Sequence, residues 1–65
     1  MDRPPVLKDF TEVTLRHAVE AGGLCVPAGA HGVVMASYAD GLAYEVEFES
    51  PHHVVLTLED KDIQA

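Results

Sequence analysis

The alternation of apolar and charged residues is strictest in residues 41–50, which read G-L-A-Y-E-V-E-F-E-S. A period of two predicts a β-strand with one face in the core and the other in solvent. Asp40-Gly41, directly before this stretch, is typical of a hairpin turn. We therefore take residues 41–50 as the strand around which the chain is organised. Its apolar positions are Tyr44, Val46 and Phe48, and the acidic positions beside them are Glu45, Glu47 and Glu49.

The stretches on either side predict the strands that pair with this one. Residues 32–38, G-V-V-M-A-S-Y, precede the hairpin signal and are rich in apolar side chains. Residues 54–58, V-V-L-T-L, follow a second turn at Ser50-Pro51 and alternate in the same way. Residues 62–64 add a short further strand if they pair. The chain then has four strands, or five with the last one.

Residues 9–22 allow two interpretations. Asp9 with Glu12 resembles a capping box, and Gly22 is typical of a helix end. At about 100° per residue, however, the apolar side chains scatter around the helix and form no coherent face. The β-branched side chains of residues 11–14 also favour a strand. We therefore predict a strand in this segment.

The remaining segments predict irregular structure. Residues 21–31 are punctuated by glycines and Pro27, so we predict a long loop there, in which Leu24 and Val26 are apolar enough to pack against the core. Residues 1–9 contain Pro4-Pro5 and predict a flexible N-terminal arm. Residues 10–65 then form one domain. The predicted fold class is all-β, an SH3-like barrel of four to five antiparallel strands with a long first loop.

Alternation also predicts which side chains form the core of this barrel. Val33 and Val34 compete for one inward position, and we assign it to Val34. Ile63 is a late apolar residue that we expect to close one end. The predicted centre of the core consists of Val13, Leu15, Val34, Tyr44, Val46, Phe48, Leu56 and Leu58.

The charge and the cysteine content limit which binding partners and which cellular compartment we expect. Four basic residues face eleven acidic ones, for a formal net charge of −7. A field of this sign repels phosphate backbones, so we expect no nucleic acid partner. Cys25 is the single cysteine, which excludes an internal disulfide and favours a reducing cytoplasm. No apolar run approaches the roughly 20 residues of a membrane helix, and no signal peptide is evident, so we expect no membrane partner.

The spacing of several motifs resembles a known family. Residues 24–34 follow the pattern L-x-x-P-x-G-x-x-G-x-V, and residues 41–48 follow G-x-A-Y-E-V-E-F. Residues 55–63 follow V-x-T-L-x-x-x-D-I, and T-E-V-T-L lies upstream at residues 11–15. From about Phe10 onward the chain resembles the small bacterial proteins of the domain of unknown function 4926 family. The arrangement is also similar to SH3-like barrels with a KOW-type turn. The resemblance implies a fold and brings no activity or site residues. The His52-His53 pair departs from it.

Few residues suggest chemistry. The four histidines and Cys25 lack the spacing of a zinc motif, and adjacent strand residues such as His52 and His53 point to opposite faces. A nucleophilic cysteine beside His31 needs a field that favours the thiolate, which an acidic protein does not provide. We expect a half-buried structural cysteine and exposed histidines. The sequence therefore predicts no catalytic residue, no cofactor and no metal.

The acidic face of the central strand is the strongest candidate for function. It is either a solvated surface or a surface for a cation or a basic partner. We predict a non-catalytic protein-interaction module that also forms a homodimer, because a core this small favours a partner subunit. The alternatives are a KOW-like nucleic-acid-associated domain and an oligomeric enzyme with a site shared between subunits. The predicted interaction surface consists of Glu45, Glu47, Glu49, Leu24 and Val55, with the dimer contact around Leu24, Cys25 and Val26 or at Val55.

Overall fold

The computed structural model describes residues 6–65, and these residues form short antiparallel strands joined by turns. Within this range there is no helix with the length and hydrophobicity needed to cross a membrane. In chain order the elements are β1 (Glu12–Leu15), β2 (Val19–Ala21), β3 (Leu24–Val26), β4 (His31–Tyr38), β5 (Ala43–Phe48), β6 (Val54–Leu58), a 3₁₀ turn (Asp60–Asp62) and β7 (Ile63–Gln64).

Five of the strands form one curled sheet in the order β6-β5-β4-β1-β7, and every pairing is antiparallel. The sheet curls into a half-barrel around its apolar face. A register shift between Val34 and Ala36 marks a bulge in β4, and bulges bend a sheet in this way. The structure confirms the small all-β barrel that the sequence predicts, with β5 inside the sheet and residues 63–64 as the fifth strand.

The core lies on the inner face of this sheet. Each of the eight side chains predicted for its centre is buried, and Val34 rather than Val33 takes the inward position. Two more side chains complete the core: Val26 on β3 and Ile63 on β7. Ile63 and Val26 therefore pack against the core as the sequence predicts, although Val26 does so from a strand and not from a loop.

The segment from residue 16 to residue 31 differs from the prediction. The single strand predicted for residues 9–22 ends at Leu15, and a separate hairpin, β2–β3, follows in place of the long loop. Gly22 and Gly23 have φ values of +57° and +81°, which suit a two-residue hairpin turn. Val19 pairs with Val26 in this hairpin; Val26 is fully buried in the core cluster, and Val19 packs against that cluster.

The N-terminal arm predicted for residues 1–9 falls partly outside the described residues, which begin at Val6. Leu7 packs against the core cluster, and its backbone N–H donates to the Tyr44 hydroxyl at 3.1 Å. This bond satisfies the hydroxyl of a tyrosine that is only 1% exposed. The described end of the arm is therefore attached to the core.

Candidate functional site

The outer face of the sheet carries a row of carboxylates along β5. Glu45 and Glu47 alternate with buried neighbours and project outward, and Glu49 follows one step beyond the strand. Across the sheet, Glu47 pairs with Val33 on one side and Val55 on the other, and Val33 pairs in turn with Glu12. Acidic and apolar side chains therefore alternate across the strands of this face, whereas the outward positions along β5 from residue 45 onward are acidic. We call Glu45, Glu47 and Glu49 the acidic row.

Partly exposed apolar side chains flank the acidic row. Met35 is 39% exposed at the bulge of β4, Tyr38 is 48% exposed at the end of β4, and Val55 is 48% exposed on β6. The Tyr38 hydroxyl donates to Glu45 Oε2 at 2.9 Å. This bond requires the phenolic proton, so it raises the pKa of Tyr38. The face thus combines negative charge with apolar surface.

His53 approaches the acidic row from the turn between β5 and β6. Because Phe48 pairs with Val54 on the inner face, His53 and Glu49 come level with each other on the outer face. His53 Nε2 lies 2.6 Å from Glu47 Oε2. The bond to Glu47 raises the pKa of His53, and the charge of Glu49 adds to this effect, because both carboxylates favour the imidazolium.

Three potential ligands therefore meet at one point on the outer face. One atom each from Glu47, Glu49 and His53 lies within 4.8 Å of the other two. Glu49 also borders an open depression whose remaining walls are residues 27–31 and 50–51. His31 lies on the rim of the same depression. We call Glu47, Glu49 and His53 the histidine–glutamate cluster.

The basic side chains that can be placed lie away from the acidic row. Arg16 Nε donates to the carbonyl of Ile63 at 2.9 Å, next to the edge strand β7. Lys61 Nζ lies 3.7 Å from Glu59 in the 3₁₀ turn region. Within residues 6–65, no lysine or arginine forms an ion pair with the acidic row. Among the described residues, the ion pair that involves the acidic row is that of His53 with Glu47, when the imidazole is protonated.

The other predicted site residues lie elsewhere. Leu24 is on β3 in the separate hairpin and is 36% exposed. Cys25 is exposed, so the expectation of a half-buried cysteine is wrong; its side chain points outward because Val26 beside it points into the core. His52 is exposed, as expected, and the structure brings His53 but not His52 to the acidic row. Sequence reasoning missed this cluster, although counting outward from a Phe48–Val54 pair would have placed His53 beside Glu49.

A second histidine–carboxylate contact joins the segment between β1 and β2 to the 3₁₀ turn. His17 Nε2 lies 2.8 Å from Asp62 Oδ1, and the backbone N–H of Glu59 donates to Asp62 Oδ2 at 2.9 Å. Both oxygens of Asp62 are therefore engaged. The bond from Glu59 lowers the pKa of the Asp62 carboxyl; partial burial opposes the shift, and the bond to His17 adds to it.

Acid is expected to remove stability that Asp62 supplies. A lowered pKa in the folded state means that the ionised carboxylate stabilises the fold. The contribution is complete above the ordinary value of 3.8 and is lost as pH falls through the lower folded value. An Asp62→Ala variant should lose about 0.5–2 kcal/mol of unfolding free energy at neutral pH, the range for a lost cap. Urea unfolding between about pH 2 and pH 7 measures both effects.

Asp60→Ala is the matched control, because Asp60 lies in the same 3₁₀ turn and is exposed. This control should keep the stability of the parent protein and its loss of stability in acid. Equal losses in the two variants, or a difference that persists below the folded pKa of Asp62, would contradict the role of Asp62.

Comparison with known proteins returned no matching protein family, no matching curated protein and no matching solved structure. The resemblance to the domain of unknown function 4926 family accordingly stays a prediction. The class of protein is defined by the structure alone: a small all-β half-barrel with an acidic outer sheet face.

Proposed function

We propose that the protein is a non-catalytic interaction module whose outer sheet face docks a basic segment of a partner protein. One observation carries this proposal: the acidic row has no lysine or arginine partner within residues 6–65 and is flanked by exposed Met35, Tyr38 and Val55. Exposed aromatic and methionine side chains beside complementary charge are typical of protein interfaces. A cytoplasmic location is part of this proposal, supported by the free, exposed Cys25.

The spacing and charge of the side chains on the outer face indicate what kind of partner segment would bind there. Glu45 and Glu47 are two residues apart on one strand, a spacing of roughly 6.6 Å that an extended partner reproduces with every second side chain. Lysine or arginine at these positions pairs with the carboxylates, and the aliphatic stems of these side chains pack against Met35. The side chains between them point away from the face. Charge complementarity speeds association and makes it sensitive to salt. We therefore expect an extended segment with a basic residue at every second position.

A synthetic peptide that alternates lysine with valine tests this surface. Labelled with a fluorophore and titrated in the presence of a chelator, the peptide should show saturable anisotropy that weakens as salt is added. The triple variant Glu45→Gln, Glu47→Gln, Glu49→Gln should abolish saturation. The matched control Glu20→Gln, Asp40→Asn, Asp60→Asn removes the same charge from exposed positions outside the acidic row and should retain binding.

Two results would overturn the docking proposal. In the first, the parent protein does not bind the peptide. In the second, both triple variants lose affinity equally, which would mean that net charge rather than the acidic row attracts the peptide. Circular dichroism of both variants establishes that the fold is intact, since all six positions lie outside the core.

Nucleic acid is expected not to bind. With a formal net charge of −7, the protein repels a phosphate backbone. Duplex DNA or RNA titrated at about 150 mM salt should show no saturation below roughly 10⁻⁴ M, the range of weak non-specific binding. Micromolar binding with a steep salt dependence would instead favour the KOW-like alternative.

We also propose that the protein forms a two-fold dimer through β6. This strand lies at one edge of the five-stranded sheet, and exposed edges favour pairing with another chain. Val55 is 48% exposed there, whereas Val26, the other predicted contact, is fully buried in the core. A dimer through β6 would bury the exposed apolar surface of Val55 against Val55 of the second copy. This burial favours the β6 edge over the hairpin around Leu24 as the dimer contact.

Sedimentation equilibrium at tens of micromolar tests the dimer, and it should report twice the chain mass of 7.0 kDa. Val55→Lys should shift the equilibrium to monomer, whereas Leu24→Lys adds the same charge to the separate hairpin and should leave the dimer intact. A 7.0 kDa species for the parent protein would refute self-association and with it the enzyme with a shared site. Loss of the dimer in Leu24→Lys alone would move the contact to the hairpin.

A further inference from the structure

We propose that the histidine–glutamate cluster of Glu47, Glu49 and His53 binds a divalent first-row transition ion of the zinc class. The convergence of one imidazole nitrogen and two carboxylates on the outer face carries this inference. It does not rest on the docking proposal, because a metal site requires only these three side chains. It also reverses the sequence-based expectation that the protein has no metal ligand.

The distances suit an ion after small side-chain movements. Zinc binds histidine nitrogen and carboxylate oxygen at about 2.0–2.2 Å, which places tetrahedral ligand atoms roughly 3.3 Å apart. The cluster atoms lie within 4.8 Å of one another, and His53 Nε2 is 2.6 Å from Glu47 Oε2. An ion draws Glu49 inward and separates His53 from Glu47 by less than 1 Å. The side chains of Glu47 and His53 are 30% and 64% exposed, so the core does not resist this adjustment.

A plain histidine–carboxylate pair does not account for the arrangement. The contact of His17 with Asp62 is such a pair: the second Asp62 oxygen accepts from the Glu59 backbone. The contact of His53 with Glu47 is joined by the carboxylate of Glu49, which forms no hydrogen bond or ion pair within residues 6–65. Two like charges held near one imidazole repel each other, and a divalent ion removes this repulsion.

The ligand atoms of the histidine–glutamate cluster determine which metal ions it would bind. Imidazole suits zinc, copper, iron and nickel, whereas magnesium and calcium prefer sites made of oxygen alone. Three protein ligands leave at least one coordination position open. Because Glu49 borders the depression formed by residues 27–31 and 50–51, the open position is accessible to water or to a small anionic ligand.

Ion and proton compete for the same nitrogen. His53 Nε2 holds a proton toward Glu47 when the imidazole is charged, and binding of the ion there releases that proton to solvent. Affinity for the ion should therefore increase as pH rises from about 6 to about 8.

Isothermal titration of the intact protein with Zn²⁺ tests the site, with Mg²⁺ as the oxygen-preferring comparison. We expect one Zn²⁺ per chain, and His53→Gln and Glu49→Gln should each lower the affinity at least about tenfold. His52→Gln removes the adjacent exposed histidine, and His17→Gln removes the histidine of the plain pair. Both controls should bind Zn²⁺ as the parent protein does. Imidazole nitrogen spectra should show the zinc-dependent shift at His53 alone.

Several results would overturn the site. They are the absence of saturable Zn²⁺ binding at about pH 7.5, equal losses in His53→Gln and His52→Gln, and a shift at Nε2 of another histidine. Equal affinity for Mg²⁺ would also count against it, because it would show that the carboxylates act without the imidazole. The peptide titration is run with a chelator, so failure of the metal site and failure of the docking surface are separate outcomes.

Discussion

A Phe48→Ala variant is expected to lose about 3–5 kcal/mol of unfolding free energy. Phe48 is fully buried and lies between Gly32 on β4 and Val54 on β6. Truncation leaves a cavity in a core of ten buried side chains, with few neighbours available to fill it. A domain of 65 residues has roughly 3–10 kcal/mol of stability in total, so this loss removes a large fraction of it and should lower the urea midpoint steeply.

Phe10→Ala is the matched control, because it removes the same atoms from a phenylalanine that is 73% exposed. The two variants are compared by urea unfolding followed by circular dichroism. We expect a change of less than about 1 kcal/mol for Phe10→Ala. Equal melting of Phe48→Ala and the parent protein would show that Phe48 does not lie in the core.

Gly32→Ala is expected to destabilise the protein by about 1–3 kcal/mol, although alanine is ordinarily the better strand residue. Gly32 faces the core from β4, opposite Phe48. A Cβ at this position would lie 2.7 Å from Val46 Cγ1 and 2.8 Å from Phe48 Cε2. Carbon atoms this close repel strongly, so the side chains of β5 must move and the sheet must open locally.

A double-mutant cycle identifies the cause of this loss. Val46→Ala removes the atom nearest to the added methyl group, so the double variant Gly32→Ala, Val46→Ala should cost less than the sum of the single changes. Thermal unfolding of the four proteins gives the coupling energy. Additive losses would mean that the contact with Val46 is not responsible.

The strands of the main sheet could be read from the sequence because each has a local signal. Residues 54–58 are a strand with the predicted bounds, and Ala43–Phe48 lies inside the predicted 41–50. Alternation assigned the inward side chains for a simple reason: one face of each strand must be apolar to pack. The hairpin β2–β3 has strands of three residues, too short for a period of two to be recognised among glycines.

One part of the candidate site could also be predicted from the sequence, and the other part could not. The acidic row lies on one strand, so its common face followed from alternation alone. The histidine–glutamate cluster joins β5 to the following turn, and its geometry depends on the register of β5 with β6. A shift of one residue would send His53 to the other face. The length of the turn alone does not determine that register. The packing of Phe48 against its neighbours is also needed.

By itself, the sequence determined the fold class, the inward residues of five strands and the sign of the charge on the outer face. These properties depend on side-chain period and composition, which are local quantities. The tertiary structure decided that β2 and β3 form a hairpin, that Cys25 is exposed and that His53 meets Glu47 and Glu49. Each of these depends on which segments meet in space. Which segments meet depends on burial of the whole apolar surface at once, so it cannot be predicted from any single stretch of the chain.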